Sequence, residues 1–573
     1  MIFAGTLIAG ALAVIALLMA TGGPPPQQTA AQRFVAAWVR GDFSSMYGDL
    51  SEAQRRVLPL AKFAADYRAA TATATATAFR HGKVPRPKGG VVRVPMLVTT
   101  RIFGAVRATL PLKFSGDGDD TQLDWSANLV FPGLAAGEQL SRDTQMPARA
   151  DILARDGTPL AQGAARSSPI PDVASSIVGS LGAPPPDHLA ALRGLGYPSG
   201  ATVGTSGLER VFEAQVAGRP GGVLRAGTRV LARTLPVRAA PVHTSIDPDV
   251  QRAAIAAKGD RLGGVAVVRP STGEILALAG LAFSGLQPPG STFKIVTLTG
   301  VLEANLGGPN SQYPYETKAT IEGRDLQNAN GESCGGSLRQ SFAQSCNSVF
   351  APLGVKLGAQ RLVQAAEQFG FNRDLGIPGA AMSTIPQPET IGDDLAVGSS
   401  AIGQGRVQAT ALQMAWVAAT IAGHGQRPRL TLQRGLAPQP TQVLAPRIAR
   451  VVGQLMESVV TGGTGTAAQI PGVRVAGKTG TAELKDTSKP ECVPDPTTAP
   501  DATATTTPDP ATTSCPPPQP NDPTDTDAWF AAYAPANAPR VAVGVLLVAS
   551  GAGADTAAPA ARGVLLAGLK ATS

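Results

Sequence analysis

The sequence predicts a multidomain protein of the α/β (α+β) class whose largest domain lies at the C-terminal end. At 573 residues the chain is too long for one hydrophobic core, so several domains are expected. After His243, two predicted strands are followed by a long helical block and then by further strands. This order indicates one α/β domain whose sheet is completed by both ends of the segment.

The chain begins with an almost continuously apolar and uncharged segment, Ile2 to Ala20. About 19 helical residues approach the thickness of a bilayer core, so residues 1–22 are predicted to be a transmembrane signal anchor. A cleaved signal peptide is the alternative, but neither a clear small-x-small site nor a cysteine for lipidation follows. We therefore expect the other domains to lie outside the cytoplasm.

Residues 28–140 are predicted to form a small α+β domain. An amphipathic helix covers Ala31 to Val39, and the runs Val91 to Thr99 and Ala105 to Phe114 alternate as strands do. Residues 141–242 form a second predicted domain, in which Asp151 to Ala161 indicates a hairpin around an Asp-Gly turn. Neither region shows a catalytic constellation, and the first is interpreted as a spacer.

Residues 243–573 are predicted to be the α/β domain. Asp247 to Ala257 has a helical pattern, and Ser291 opens a helix after two short strands. The later strands are expected at Val473 to Leu484 and Ala528 to Pro535. A stretch rich in Pro, Thr and Asp interrupts them, which predicts a disordered insert over residues 485–527.

The charge and cysteine content narrow the function classes. We expect the net charge of +8 to be spread over the chain without a basic block. Since no basic stripe with interleaved aromatic residues is found either, no nucleic-acid partner is expected. The cysteines form two close pairs, Cys334 with Cys346 and Cys492 with Cys515. Export favours disulfides, although free thiols stay open for both pairs. Neither pair has a C-x-x-C spacing and the four histidines are scattered, so we expect no metal site.

Ser291 and Lys294 are three residues apart, which places them on one face of a helix. A serine hydroxyl is a poor nucleophile until a base removes its proton. Lys294 can be that base only if its pKa falls well below the ordinary ~10.4, through burial and a second cation, for which Lys478 is the candidate. In isolation, a capping serine and a solvent-facing lysine would be the better explanation of the pair, and the two motifs that follow reverse that preference.

Two further motifs follow in order. Ser345 and Asn347 are predicted to lie in a loop between helices, where a hydroxyl can pass protons to a leaving amine and an amide can orient Lys294. Lys478, Thr479, Gly480 and Thr481 follow on the strand that begins at Val473.

On that strand the glycine lets a ligand backbone approach, and the lysine and hydroxyls suit a carboxylate. The backbone N–H groups of Ser291 and Thr481 are the candidate oxyanion hole. Together the three motifs indicate serine acyl transfer without a histidine.

These motifs resemble those of the penicillin-binding proteins, and the resemblance extends over nearly the whole chain. The order of domains is similar to class B rather than to the bifunctional class A, because no glycosyltransferase domain precedes the motifs. Residues Phe34 to Leu50 resemble the NTF2-like domain of one subgroup, of actinobacterial type, and Asp151 to Ala161 is similar to the start of the class B pedestal. The blocks that carry the resemblance are Pro289 to Lys294, Ile402 to Gly405, Ala476 to Ala482 and Trp529-Phe530.

The resemblance implies an NTF2-like domain, an elongated dimerisation-type pedestal and a serine transpeptidase domain of the β-lactamase-like fold. It implies that Ser291 is acylated by the penultimate D-Ala of a peptidoglycan stem peptide and deacylated by an acceptor amine, and that β-lactams acylate the same serine. No cofactor is implied. A glycosyltransferase of the elongation or division machinery is an expected partner, and the expected location is the cell membrane, single-pass, with the catalytic domain extracytoplasmic.

Two other functions of the same motifs stay open at this point. A D,D-carboxypeptidase or β-lactamase-type hydrolase would use the same residues but rarely carries such a long pedestal. A scaffold would not need all of the motif residues, whereas a β-lactam sensor would bind penicillin covalently without transferring an acyl group to an acceptor peptide.

Overall fold

The computed structural model describes residues 23–484 and 525–572, which divide into two units. Unit 1 comprises the residues up to Ala150 together with Leu181–Thr205 and Glu213–Ala240. Unit 2 comprises Asp151–Ser180, Ser206–Phe212 and the residues from Pro241 onward. The predicted anchor and residues 485–524 of the predicted insert lie outside the described residues. Among the helices of the described part, none is long and apolar enough to cross a bilayer.

The elements are numbered in chain order. The helices are α1 (Pro26–Arg40), α2 (Phe43–Gly48), α3 (Glu52–Val57), α4 (Leu60–Ala74), α5 (Pro171–Ile177), α6 (Leu189–Leu195), α7 (Gly207–Val211), α8 (Glu213–Val216), α9 (Pro248–Lys258), α10 (Lys294–Glu303), α11 (Leu338–Ala343), α12 (Asn347–Leu357), α13 (Ala359–Gln368), α14 (Asp394–Ala401), α15 (Ala411–Ala422), α16 (Pro446–Gly462) and α17 (Ala557–Ala571). The strands are β1 (Ala76–His81), β2 (Val91–Thr100), β3 (Gly104–Ser115), β4 (Gln122–Leu123), β5 (Leu140–Gln145), β6 (Ile152–Leu153), β7 (Pro159–Ala161), β8 (Leu181–Gly182), β9 (Val203–Gly204), β10 (Gly221–Ala226), β11 (Arg229–Thr234), β12 (Val242–His243), β13 (Gly263–Val268), β14 (Ile275–Gly280), β15 (Gln312–Glu316), β16 (Lys318–Ile321), β17 (Arg324–Gln327), β18 (Cys334–Ser337), β19 (Gln426–Arg427), β20 (Thr441–Gln442), β21 (Ala476–Glu483), β22 (Thr526–Ala534) and β23 (Val541–Leu547).

Unit 1 packs helices α1, α2 and α4 on an antiparallel sheet of order β1-β2-β3-β4, whereas α3 has no buried residue. Strands β2 and β3 are paired from Val91 opposite Lys113 to Thr100 opposite Gly104. Because side chains alternate along a strand, the even-numbered residues of both strands face the helices and the odd-numbered ones face solvent. The Thr-Ala stretch from Thr71 to Ala78 is divided between the two, since α4 ends at Ala74 and β1 begins at Ala76.

Unit 2 is built on a five-stranded antiparallel sheet of order β14-β13-β23-β22-β21. Helix α15 covers one face and helices α9 and α17 cover the other. Strands from residues 263–280 and 476–547 share this sheet, which is the arrangement predicted from the order of elements. The hairpin predicted around the Asp-Gly turn is present as β6 paired with β7.

Six short strands within the predicted helical block were missed, namely β15 to β20. Strands β15 and β18 pair with each other, as do β16 with β17 and β19 with β20. All but β18 are mostly exposed, so they lack the apolar alternation by which a half-buried strand is recognised in a sequence. Strand β18 is buried, but its sequence Cys-Gly-Gly-Ser offers no alternation either.

Trp38 on α1 is the centre of an aromatic cluster in unit 1. Its side chain is 3% exposed, and its ring lies 5.0 Å from that of Tyr67 and 5.3 Å from that of Phe79, measured between centroids. The neighbouring residue, Val39, points outward and is 42% exposed.

We expect Trp38→Ala to lower the free energy of unfolding of unit 1 by about 3–5 kcal/mol, because it removes buried surface and leaves a cavity. Urea unfolding followed by fluorescence measures the loss. Val39→Ala is the matched control and should change the free energy by less than about 0.5 kcal/mol. Similar losses in both variants would contradict the assigned core.

Candidate active site

Ser291 and Lys294 lie where a short 3-10 helix, Gly290–Phe293, runs into α10. Residues three apart lie above one another in a 3-10 helix, so the two side chains share one face. Ser291 is half-buried, whereas Lys294 is fully buried. The sequence predicted a helix opening at Ser291, and the structure differs only in the tighter first turn.

The Lys294 ammonium is held by the second motif. Its Nζ donates to the Ser345 carbonyl oxygen and to Asn347 Oδ1, both at 2.6 Å, and lies 3.3 Å from Ser345 Oγ. All of these acceptors are neutral. The structure therefore brings three of the predicted residues, from two separate segments, around one nitrogen.

The second motif is fixed from several sides. Ser345 and Cys346 form the turn between α11 and α12, where Ser345 has a φ of 67° in the left-handed region, and Asn347 begins α12. Asn347 Nδ2 donates to the carbonyl oxygen of Gln327 at 2.6 Å. A disulfide joins Cys346 to Cys334 on β18 with a Cα–Cα distance of 5.5 Å.

The disulfide ties the middle residue of the motif to a strand. The second cysteine pair, Cys492 and Cys515, lies outside the described residues.

Lys478 lies on β21, the edge strand of the sheet in unit 2. Its side chain is fully buried, and Nζ donates to the Thr479 carbonyl oxygen at 3.1 Å. The two lysines lie over neighbouring aromatic rings, Lys478 5.6 Å from the Phe342 centroid and Lys294 5.7 Å from that of Phe350. Cations over ring faces are stabilised without a counter-charge.

The electrostatics of this pair favour loss of a proton. Burial lowers the pKa of Lys294 well below its usual range, and the nearby charge of Lys478 lowers it further. Burial also lowers the pKa of Lys478, to about 7. Two ammonium groups this poorly hydrated disfavour each other's charge, so the buried pair shifts Lys294 toward the neutral amine that a base requires.

The backbone of the third motif, Lys478 to Thr481, lies close to the turn at Gly290 and Ser291, which we call the serine turn. A Cβ on Gly290, whose φ is +51°, would lie 2.6 Å from the Thr481 carbonyl oxygen. A Cβ on Gly480 would lie 2.8 Å from the Pro289 carbonyl oxygen and 2.9 Å from the Cβ of Trp529. Glycine is thus required at both positions for the strand and the turn to pack closely. This contact sets the main chain of Ser291 beside that of Thr481, where the oxyanion hole was predicted.

The loop Ile402 to Gly405, one of the blocks that carry the resemblance, borders the turn that carries Ser291. The Gly290 N–H donates to the Gly403 carbonyl oxygen at 2.9 Å. A Cβ on Gly403 would lie 2.0 Å from the carbonyl oxygen of Gly290. Trp529 and Phe530, another of those blocks, are fully buried.

Sequence reasoning missed Thr464, in the loop after α16. Its Oγ1 lies 2.5 Å from Thr479 Oγ1, and its N–H donates to the Ala343 carbonyl oxygen at 3.0 Å. The loop therefore connects the end of α11 to the β21 strand. The sequence feature that could have identified Thr464 is the Gly-Gly-Thr-Gly run, Gly462 to Gly465, in which it is the one residue that is not glycine.

The arrangement is suited to nucleophilic catalysis. A half-exposed hydroxyl stands on one helical turn with an amine whose pKa is depressed, and an edge strand with free hydrogen-bonding groups lies alongside. Among the described residues, no group of three or more His, Cys, Asp or Glu side chains could hold a metal ion.

Three family models match the chain in succession. They are the NTF2-like N-terminal transpeptidase domain over residues 26–138, the penicillin-binding protein dimerisation domain over 138–227 and the penicillin binding protein transpeptidase domain over 263–494.

Curated relatives and solved structures are similar over much of the chain. The peptidoglycan D,D-transpeptidase PbpA of Mycolicibacterium smegmatis is 30% identical over 465 residues, covering 68% of this chain and 84% of the relative. The crystal structure of PBPA from Mycobacterium tuberculosis is 26% identical with a TM-score of 0.55, covering 74% of this chain and 99% of that one. The imipenem acyl-enzyme complex of the same protein has the same identity and TM-score, and covers 74% and 98%.

We expect Gly290→Ala to cost about 1–3 kcal/mol of unfolding free energy, because a side chain at this φ is strained and the new methyl group meets the Thr481 carbonyl. Chemical denaturation of unit 2 measures the loss. Gly462→Ala, where nothing lies within 4 Å of the added Cβ, is the control and should have little effect. An unchanged stability in Gly290→Ala would show that the strand and the turn are not in close contact.

The lowered pKa of Lys478 predicts a pH-dependent stability. The unfolded chain retains this proton up to about pH 10.4, whereas the folded chain loses it near pH 7, so the unfolding free energy should rise with pH between these values. Lys478→Met should flatten that rise by up to about 1.4 kcal/mol per pH unit. Lys356→Met, at an exposed lysine of α12, is the control for denaturation curves at pH 7, 8 and 9. Equal slopes in wild type and Lys478→Met would contradict the buried charge.

Proposed function

Since the chain belongs to the penicillin-binding protein transpeptidase family, we propose that it is a class B peptidoglycan D,D-transpeptidase. Its substrates are stem peptides, a D-Ala-D-Ala donor and an amine acceptor, and it forms an acyl-enzyme on Ser291 that β-lactams also form. The single observation that supports this most is the buried Lys294, held by Ser345 and Asn347 one turn from the serine.

The first half-reaction begins with loss of the Ser291 hydroxyl proton to the neutral Lys294 amine. The serine Oγ then attacks the carbonyl carbon of the penultimate D-Ala, and the backbone N–H groups of Ser291 and Thr481 donate to the oxyanion. The C–N bond breaks, and the terminal D-Ala leaves as an amine after it accepts a proton through the Ser345 hydroxyl. The donor peptide is now an ester of Ser291.

The second half-reaction reverses these roles. The acceptor amine attacks the ester carbonyl, and its proton passes to Lys294. The ester C–O bond breaks, and Ser291 Oγ takes back a proton as the new amide leaves. Asn347 and Lys294 share one hydrogen bond, so the amide keeps the lysine oriented through both halves.

Substrate is held along the edge of the sheet. Among the described residues, strand β21 pairs only with β22, so an extended stem peptide can add to its other side. Thr479 and Thr481 offer hydroxyls to the terminal carboxylate, and the partly charged Lys478 lies beneath them. Gly480 leaves room for the peptide backbone.

Location and assembly are part of the proposal. Residues 1–22 are proposed to anchor the protein in the cell membrane in a single pass, which leaves the other domains outside the cytoplasm. The proposed domains are NTF2-like over 28–140, pedestal over 141–242 and transpeptidase over 243–573, with an insert at 485–527. A glycosyltransferase of the elongation or division machinery is the proposed partner.

We expect the chain from Gly23 onward to gain one covalent benzylpenicillin per molecule, and Ser291→Ala to gain none, because only Ser291 carries the activated hydroxyl. Intact mass measures the adduct. Ser458→Ala, a serine of α16 bonded to the Leu455 carbonyl, is the matched control and should react as wild type does.

A thioester donor and a D-amino acid acceptor then separate the possible reactions. Transfer to the acceptor supports a transpeptidase. Rapid loss of the adduct by hydrolysis would identify a hydrolase instead, and a stable adduct without transfer would identify a β-lactam sensor. An adduct on Ser291→Ala, or on neither protein, would overturn the assignment of the nucleophile.

A further inference from the structure

The positive charge of the chain is not evenly distributed. The segments of unit 1 contain 22 Lys and Arg against 12 Asp and Glu, a net charge of +10, although the whole chain carries only +8. Between Asp66 and Asp117 there are nine basic residues and no acidic residue. The expectation of a charge spread over the chain without a basic block was therefore wrong.

Strand register collects these cations on one face of the sheet. Arg80 on β1 lies opposite Leu97 on β2, which lies opposite Arg107 on β3. Farther along, Arg93 lies opposite Pro111, and Lys113 lies opposite Val91. All four cations are exposed, because they occupy the solvent-facing positions of the alternation. The β1–β2 loop adds three more exposed cations, Lys83, Arg86 and Lys88.

We call these seven residues the basic face. None of the seven makes an ion pair or a side-chain hydrogen bond within the described part of the chain, unlike Arg33 and Arg229 of the same unit, which pair with Asp49 and Glu138. The nearest acidic residues by sequence follow the end of β3, in the turn Asp117 to Asp120. Holding so many like charges together without internal compensation favours an anionic partner.

The other residues of this sheet indicate which class of anionic partner fits it. The aromatic side chains of β1 and β3 point to the core, where Phe79 stacks on Trp38 and Phe114 is 8% exposed. No ring is therefore offered to stack on nucleic-acid bases. Between the cations lie half-buried apolar residues, Leu97 and Val91, on an antiparallel sheet rather than in a groove. A broad sheet face with this mixture suits a planar anionic surface.

The position of unit 1 in the chain indicates which planar anionic surface it contacts. Helix α1 begins at Pro26, shortly after the apolar stretch Ile2 to Ala20. We propose that the basic face of unit 1 docks on the anionic headgroups of a phospholipid membrane. A cluster of this size is in the range that recognises anionic lipids. Docking would add a second, reversible contact to the proposed anchor and does not depend on the proposed acyl transfer.

The affinity should depend on the number of cations and on salt. Each Lys or Arg near an anionic bilayer contributes about fivefold to the partition constant. The attraction acts over about 10 Å at 0.1 M salt and over about 3 Å at 1 M, so it should vanish at high ionic strength.

We therefore expect the triple variant Arg80→Gln, Arg93→Gln, Arg107→Gln to bind vesicles about a hundredfold more weakly than wild type. The protein is the chain from Gly23 onward, which retains every described element of both units, and the vesicles contain equal parts of phosphatidylglycerol and phosphatidylcholine. Co-sedimentation at 0.1 M salt measures the partition constant.

The matched control removes three exposed arginines from elsewhere in unit 1, as Arg40→Gln, Arg219→Gln, Arg233→Gln, so the two variants have the same net charge. It should bind nearly as wild type does. Stoichiometric acylation by benzylpenicillin in both variants checks that unit 2 is intact, and circular dichroism checks the fold.

Three results would overturn the proposal. Equal losses in the two triple variants would show that net charge and not this face drives binding. Binding to pure phosphatidylcholine, or binding at 1 M salt, would show that apolar contact dominates. Binding to soluble polyphosphate with none to the vesicles would identify an anionic polymer as the partner instead.

Discussion

The removal of two lysines from water is the constraint on which the site depends. Lys294 and Lys478 are both fully buried, and the hydrogen-bond acceptors of their ammonium groups are neutral oxygens. A carboxylate partner would have stabilised the charged form and kept the amine protonated. Neutral acceptors and aromatic faces hold the nitrogen in place while burial makes the proton easy to lose. An amine can then serve as a base where a free lysine could not.

The sheet of unit 2 keeps this environment dry and the reacting groups aligned. Lys478 is held by the pairing of all eight residues of β21 with β22, while no strand in the described part of the chain pairs with the other edge of β21. The serine turn packs against this strand through Gly290 and Gly480, where any Cβ would collide. The disulfide of Cys346 and the hydrogen bond from Asn347 to Gln327 hold the third segment. Each of the three segments is thus fixed by contacts of its own, through strand pairing, close backbone packing or a disulfide.

The two units differ in whether their cations are buried or exposed. Unit 2 carries the buried lysines of the site, Lys294 and Lys478, whose poor hydration lowers their pKa. Unit 1 carries exposed cations on a sheet face, where they can attract anions over the screening length. Burial lowers the pKa of Lys294 and Lys478, so these two lysines are suited to proton transfer rather than to holding a charge.

Much of this could be predicted from the sequence. Alternation gave β2 and β3 almost to the residue, and the order of elements gave a sheet completed by both ends of the segment. Short exposed strands such as β16 were missed, because without a buried face they leave no periodic signal. The concentration of charge in unit 1 was also missed, although the run without acidic residues between Asp66 and Asp117 is visible in the sequence; strand register was needed to show that the cations share one face.

For the site, the sequence by itself determined which residue types are present and which of them lie one turn or one strand step apart, because those relations are local. Ser291 with Lys294, and Lys478 with Thr479, are of this kind. Only the tertiary structure decided that Lys294 meets Ser345 and Asn347, that Thr464 contacts Thr479 and that both lysines are buried. These depend on contacts between segments far apart in the chain, and burial, which lowers the pKa of a lysine, is a property of the packed fold and not of any motif.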